Sequence, residues 1–230
     1  MAGRSTMGAT LQPVIVTDGK AIVLSLDARE SELGRAAADL DVATMSRRIE
    51  QRLLAAGTGF AYGRWGERRG IYTSALFAEE GASARRDVHL GIDVFCAPGT
   101  PVVAPLAAEV HAVNNNAAEL DYGPVVILQH EGEDAPFFTL YGHLGFDCLD
   151  RLEAGQTVAA GEAFATVGSP PGNGNWPPHL HFQLIHDLLG LGTDFPGVVR
   201  ADETDRWFAL SPLPAEFFPD VDAVELDGRR

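Results

Sequence analysis

The sequence predicts a mainly β fold, α+β overall, with a small N-terminal layer of β-hairpin plus helix. Three observations predict it. Glycine (25) and proline (14) are frequent among the 230 residues and separate short apolar runs, the pattern of many strands and turns. The run HLHFQLI alternates polar and apolar residues, the two-residue period of a strand. Helical periodicity stands out in one long segment, ESELGRAAADLDVATMSRRIEQRLLAAG.

Taken in order, residues 12–26 (PVIVTDGKAIVLSLD) read as two short strands around Asp18-Gly19, a strong hairpin dipeptide. In the helical segment Leu40, Met45, Ile49, Leu53 and Leu54 share roughly one face, Gly57 supplies the stop, and a break falls near Asp39 to Asp41. Residues 1–60 are thus expected to form an accessory segment. From Phe60 the chain turns to short strands: AYGRWGERRGIYTS, VHLGIDVFC and APGTPVVAPLAAEVHAV. PVVILQH and FFTLYGHL follow, joined by the polar loop EGEDAP as a longer hairpin. VAAGEAFATVG and HLHFQLI complete a β domain over residues 61–188. Residues 189–230, with scattered aromatics and prolines, read as an irregular tail packed on the core.

The formal charge of −15 argues against nucleic acid, whose phosphates need a basic surface, and against anionic membrane surfaces. No apolar run approaches the roughly 20 residues of a membrane helix, so no membrane insertion is expected. The start, MAGRSTMGATLQPVIV, lacks a signal-peptide h-region. The expected location is therefore cytoplasmic, or periplasmic or extracellular if a leader has been removed. Cys96 and Cys148 are far apart, in no CxxC pattern, and read as free thiols.

Four of the seven histidines have distinctive settings. In HLHFQLI taken as a strand, His179, His181, Gln183 and Ile185 share one face. Leu180, Phe182 and Leu184 share the other, which is core. His89 and Asp93 also share a face if VHLGID is extended, but their Cα atoms would then lie about 13 Å apart. A bend at Gly91 is needed to bring them to one ion. His143 lies in LYGHL. Zinc suits two imidazoles and one carboxylate, a set that leaves a coordination position for substrate or water. Such an ion lowers the pKa of a bound water and polarises a carbonyl. There is no HExxH, so a base must come from elsewhere, and His143 with the other member of HxH is available. His111, His130 and His186 read as ordinary polar residues, and Cys96 as a buried thiol.

The runs HLGIDVFCAPGTPVVAPLAAEV, TLYGHL and GQTVAAGEAFATVGSPPGNGNWPPHLHFQL, in that order, resemble the catalytic domain of lysostaphin-type (LytM-like) zinc metalloendopeptidases over about residues 85–186. The resemblance implies an antiparallel β domain with a narrow groove over one zinc ion per chain. It implies His89, Asp93 and His181 as ligands and His143 and His179 as the catalytic pair. The substrate it implies is a peptide or peptidoglycan fragment, glycine-rich or D-amino-acid cross-links included. ERRGIY, LDYGPVVILQH, NGNWPPHLHFQL and DFPGV are similar to the peptidase-like middle segment of multidomain proteins that join it to a kinase-like domain and an aminotransferase. Zinc-dependent hydrolysis of peptide bonds is the expected function. An intracellular zinc amide hydrolase acting on a small metabolite, and a non-catalytic LytM-like binding or regulatory module, are the alternatives.

Overall fold

The computed structural model describes residues 10–27, 29, 33, 41–78 and 85–229. Short apolar runs between glycine turns form the strands: β1 (Ile22–Leu24), β2 (Ala61–Gly63), β3 (Val88–His89), β4 (Ile92–Phe95), β5 (Pro101–Val103) and β6 (Ala108–Asn116). They continue with β7 (Gly123–His130), β8 (Phe137–Gly142), β9 (Thr157–Val158), β10 (Ala163–Thr166), β11 (His179–Ile185) and β12 (Val198–Val199). Eight of them make one sheet in the order β1-β2-β4-β11-β8-β7-β6-β9. Its β1–β2 edge is parallel, and the other neighbours are antiparallel. The mainly β, antiparallel reading of the sequence holds, and EGEDAP joins β7 to β8 as a hairpin closing on the pair His130 and Phe137.

β11 lies at the centre of this sheet, between β4 and β8, and is buried along its whole length. Leu180, Phe182 and Leu184 enter the largest apolar cluster with Ile92, Val94, Val126, Leu128 and Tyr141. Two-residue alternation sends His179 and His181 to the opposite face. Farther along that face Ile185 packs with Val125, Ile127 and Leu140.

The helix α1 (Val42–Ala56) begins where the Asp41 carboxylate accepts a hydrogen bond from the Thr44 amide at 2.8 Å, an N-cap that satisfies an orphan donor. It stops at Gly57, left-handed with φ 66°, as the sequence indicates. Met45 and Ile49 are buried, whereas Leu54 is 72% exposed. Leu40 and the stretch around Asp39 lie outside the described residues, so the expected break there does too.

The hairpin expected around Asp18-Gly19 does not form. Val14 and Val16 exchange backbone hydrogen bonds with Val103 and Pro101 on β5, and Ile15 bridges Val102. The second arm, β1, runs parallel to β2 instead. Each arm thereby buries apolar side chains against a separate cluster, Val14 and Ile15 in one and Leu24 and Leu26 in another. Two arms paired only with each other would leave most of that surface wet. Asp18-Gly19 remains as the connection, with Gly19 at φ 100°.

The tail returns to the core through Phe195, Phe217, Phe218 and Leu226, all buried. Trp65 donates from its indole nitrogen to the Ser211 carbonyl at 3.1 Å. No helix among the described residues is long and apolar enough to cross a membrane.

Candidate metal centre

The chain breaks after β3 and resumes at β4, and this break solves the His89–Asp93 spacing. β3 pairs with β12, while β4 joins the main sheet between β2 and β11. Leu90-Gly91 turns the chain between them. A Cβ on Gly91 would lie 2.5 Å from His181 Cε1 and 2.7 Å from the Phe182 carbonyl oxygen, so only glycine lets the loop close against the imidazole. His181 sits opposite Asp93 in the β11–β4 register and opposite Gly142 on β8. One donor atom from each of His89, Asp93 and His181 lies within 4.8 Å of the other two, and all three residues are buried.

The separations are tighter than that limit. His89 Nε2 is 2.9 Å from His181 Nδ1, and Asp93 Oδ1 is 3.1 Å from His181 Nδ1 and 3.2 Å from His89 Nε2. Bonds of 2.0–2.1 Å around a tetrahedral zinc imply ligand atoms about 3.3 Å apart, so the donor set fits such an ion closely.

Each donor is also held from behind. His89 Nδ1 donates to the Arg64 carbonyl at 2.9 Å, which fixes the tautomer with its lone pair on Nε2. His181 Nε2 donates to Gln183 Oε1 at 2.8 Å, which leaves the lone pair on Nδ1. Asp93 Oδ2 accepts from Arg69 Nη1 at 2.6 Å, so only Oδ1 faces the imidazoles. Arg69 in turn binds Glu67 Oε2 at 2.9 Å. Burial opposes ionisation of Asp93, but charged neighbours, the Arg69 guanidinium at 2.6 Å among them, outweigh it and hold its carboxyl well below the usual range. Burial pushes His89 down to about 3, which keeps its ring neutral. Outer contacts of this kind orient ligands and tune affinity.

Beside this cluster stand two more imidazoles. The rings of His143 and His179 are 4.3 Å apart. His179 Nδ1 donates to the Pro177 carbonyl at 2.6 Å, and His143 Nδ1 to the Asn173 carbonyl at 2.9 Å. Both rings therefore carry their proton on Nδ1 and a lone pair on Nε2. His179 Nε2 lies 3.7 Å from Asp93 Oδ1. Burial lowers both pKa values, with the His179 and His181 rings adding to the effect on His143. His143 is not in a strand: β8 ends at Gly142, and His143 takes φ 62°, a left-handed conformation that is strained for a side-chain-bearing residue.

All five residues singled out in the sequence thus meet at one point. Sequence reasoning missed Arg69, Glu67, Arg64 and Asn173, although charged residues among apolar strands in ERRGIY were a signal for the first two. Gln183 was visible by parity but had no role. His111 and His186 are exposed. His130 is buried, bonded to Ala107 and Thr139. Cys96 and Cys148 are free and buried, and burial raises the Cys96 thiol to about 11, as for an inert core residue.

A mainly antiparallel β domain thus presents two imidazoles and a carboxylate, a donor set of the kind that can hold a zinc ion. Residues 87–190, which hold all five residues, match Peptidase family M23. Over 96 residues the chain is 35% identical to the "Uncharacterized metalloprotease" of Haemophilus influenzae, covering 42% of this chain and 18% of that protein. The chain thus spans less than a fifth of that curated relative. Among solved structures, the catalytic domain of lysostaphin from Staphylococcus simulans is similar at 22% identity and a TM-score of 0.40, covering 64% of this chain and 90% of that one. The catalytic domain of the prophage-encoded M23 protein EnpA from Enterococcus faecalis, in a variant form, is similar at 26% identity and a TM-score of 0.37, covering 60% and 85%.

Proposed function

We propose that this protein is a zinc-dependent peptidase that hydrolyses amide bonds in peptides, peptidoglycan fragments among them. His89, Asp93 and His181 hold the ion, and His143 and His179 perform the proton transfers. The convergence of these five buried side chains, each oriented by a hydrogen bond or ion pair of its own, carries the reading. A zinc ion bound there would act as a Lewis acid on the substrate carbonyl and acidify a water.

The protein's own groups supply the rest. His89 and His181 reach the ion as neutral ligands in fixed tautomers, and Asp93 contributes one oxygen because Arg69 occupies the other. The Nε2 lone pairs of His143 and His179 face the reacting centre as bases, since their Nδ1 protons are committed to backbone carbonyls. His179 is the stronger candidate for taking the proton, because Asp93 Oδ1 at 3.7 Å stabilises the imidazolium that results. That imidazolium can then return the proton to the departing amine nitrogen. His143 orients the attacking water through its own lone pair.

The test is hydrolysis of a peptide panel, with peptidoglycan and small metabolite amides beside it, by zinc-loaded and chelator-treated protein. Cleavage that disappears with the chelator and returns with zinc is expected. Cleavage indifferent to chelation would overturn the reading, and cleavage confined to metabolite amides would move the substrate to that class.

A further inference from the structure

The candidate catalytic residues form one wall of a cavity of about 270 Å³. Leu26, Met45, Ile71, Leu76 and Phe77 line it as well. Leu26, Met45, Ile71 and Phe77 belong to one apolar cluster with Phe95 and Trp176. Phe95 is stacked on the His179 ring at 5.0 Å, and Trp176 meets His143 edge-on at 6.2 Å. Apolar side chains therefore form one wall that links the N-terminal layer to the two imidazoles, while Arg86, Asp121 and Asp194 also line the cavity. Leu26, beyond β1, and Met45, on α1, come from ahead of the catalytic segment. The layer thus faces the reacting centre as well as completing a core.

We propose that this cavity is a side-chain pocket that makes the enzyme selective for short peptides or small amides carrying an apolar residue next to the scissile bond. The inference rests on the hydrolase reading above and names its substrate class. At about 270 Å³ the space sits just under the roughly 300–1,000 Å³ of ordinary ligand pockets, which suits one side chain and its backbone. The apolar wall rewards burial of a leucine or phenylalanine side chain. A glycine has no side chain to bury there, and a charged side chain against the apolar wall would lose hydration without a partner on that wall. Leu76 is the most accessible of the five wall residues and can be altered with little risk to the core.

Two measurements on the zinc-loaded protein separate the inference from the reading it rests on. The first is kcat/KM for Leu-Gly, Phe-Gly, Gly-Gly, Lys-Gly and Asp-Gly amides, their reversed-order counterparts, pentaglycine and insoluble peptidoglycan. The second is calorimetric binding of N-acetyl-leucine amide against N-acetyl-glycine amide, which needs no turnover. We expect apolar substrates to be favoured at least about tenfold, within the range a hydrophobic pocket can deliver, and the leucine probe to bind more tightly. In Leu76→Asp, checked by thermal unfolding for an intact fold, the leucine-to-lysine selectivity ratio should fall at least about tenfold. Hydrolysis with equal rates across the panel, rapid solubilisation of peptidoglycan, or an unchanged ratio in Leu76→Asp overturns the pocket and leaves the peptidase standing. Preferential binding of the leucine probe without hydrolysis of any substrate upholds the pocket and overturns the peptidase. Neither preference nor hydrolysis overturns both.

Discussion

Arg69 and Asp93 form an ion pair at 2.6 Å between side chains that are 1% and 3% exposed. The pair divides the carboxylate between two tasks: Oδ2 is committed to the guanidinium and Oδ1 to the imidazole cluster. Removing one partner of a buried pair strands the other charge, at a cost of about 3–5 kcal/mol. Outer contacts to ligands are worth about 10–100-fold in metal affinity. Arg69→Met is therefore expected to lower stability by that order and to weaken zinc binding by that factor. Denaturant unfolding and competition with a chelating dye read the two effects separately. Unaltered zinc affinity would show that Arg69 balances charge without orienting Asp93.

Gly91 tests the turn that brings His89 to Asp93. The added methyl of Gly91→Ala would meet His181 Cε1 at 2.5 Å, and overpacking of this kind costs about 1–3 kcal/mol. The variant should fold with reduced stability and a zinc content well below that of the parent, as elemental analysis would show. Full zinc occupancy would mean that the loop can close by another path.

His143 links backbone strain to chemistry. At φ 62° glycine is at home and alanine is not, so His143→Gly should be more stable than His143→Ala by about 1 kcal/mol. Both variants should retain zinc and lose about 10²–10⁴-fold in kcat. Equal stability of the two in denaturant unfolding would remove the strain argument, and near-normal kcat would remove the catalytic role.

His130 sets a pH dependence away from the site. Its Nδ1 donates to the Ala107 carbonyl at 3.2 Å, and its Nε2 lies 2.7 Å from the Thr139 hydroxyl oxygen. Burial lowers its pKa to about 4. The unfolded chain takes up the proton near pH 6.5 and the folded one only near 4, so the contribution is complete above 6.5 and drains away as pH falls to 4. The loss amounts to about 3 kcal/mol. The stability gap between the native protein and His130→Gln should therefore narrow across that window in unfolding titrations. A constant gap would contradict the assignment.

Much of this was legible in local pattern. The two-residue alternation of HLHFQLI placed His179 and His181 on one face and Leu180 and Phe182 on the other, because strand geometry depends only on parity. Gly57 marked the end of α1 because a left-handed cap has few substitutes. The need for a bend at Gly91 followed from strand rise alone. What stayed hidden depends on partners distant in sequence. The arms flanking Asp18-Gly19 have good hairpin chemistry, yet larger apolar surfaces on β2 and β5 take them. Arg69, beyond the end of β2, meets Asp93 on β4; the charges in ERRGIY signal a role but do not specify this partner. His143 leaves its strand because its amide bonds the Tyr122 carbonyl and its own carbonyl accepts from Gly168, contacts that no local pattern encodes.

The central claim is that His89, Asp93 and His181 hold a metal ion. Elemental analysis of the purified native protein beside His181→Ala tests it most directly, with circular dichroism to verify that the variant folds. One zinc per chain in the native protein and none in the folded variant is the expected result. Stoichiometric zinc in His181→Ala, or peptide hydrolysis by native protein containing no metal, would contradict it.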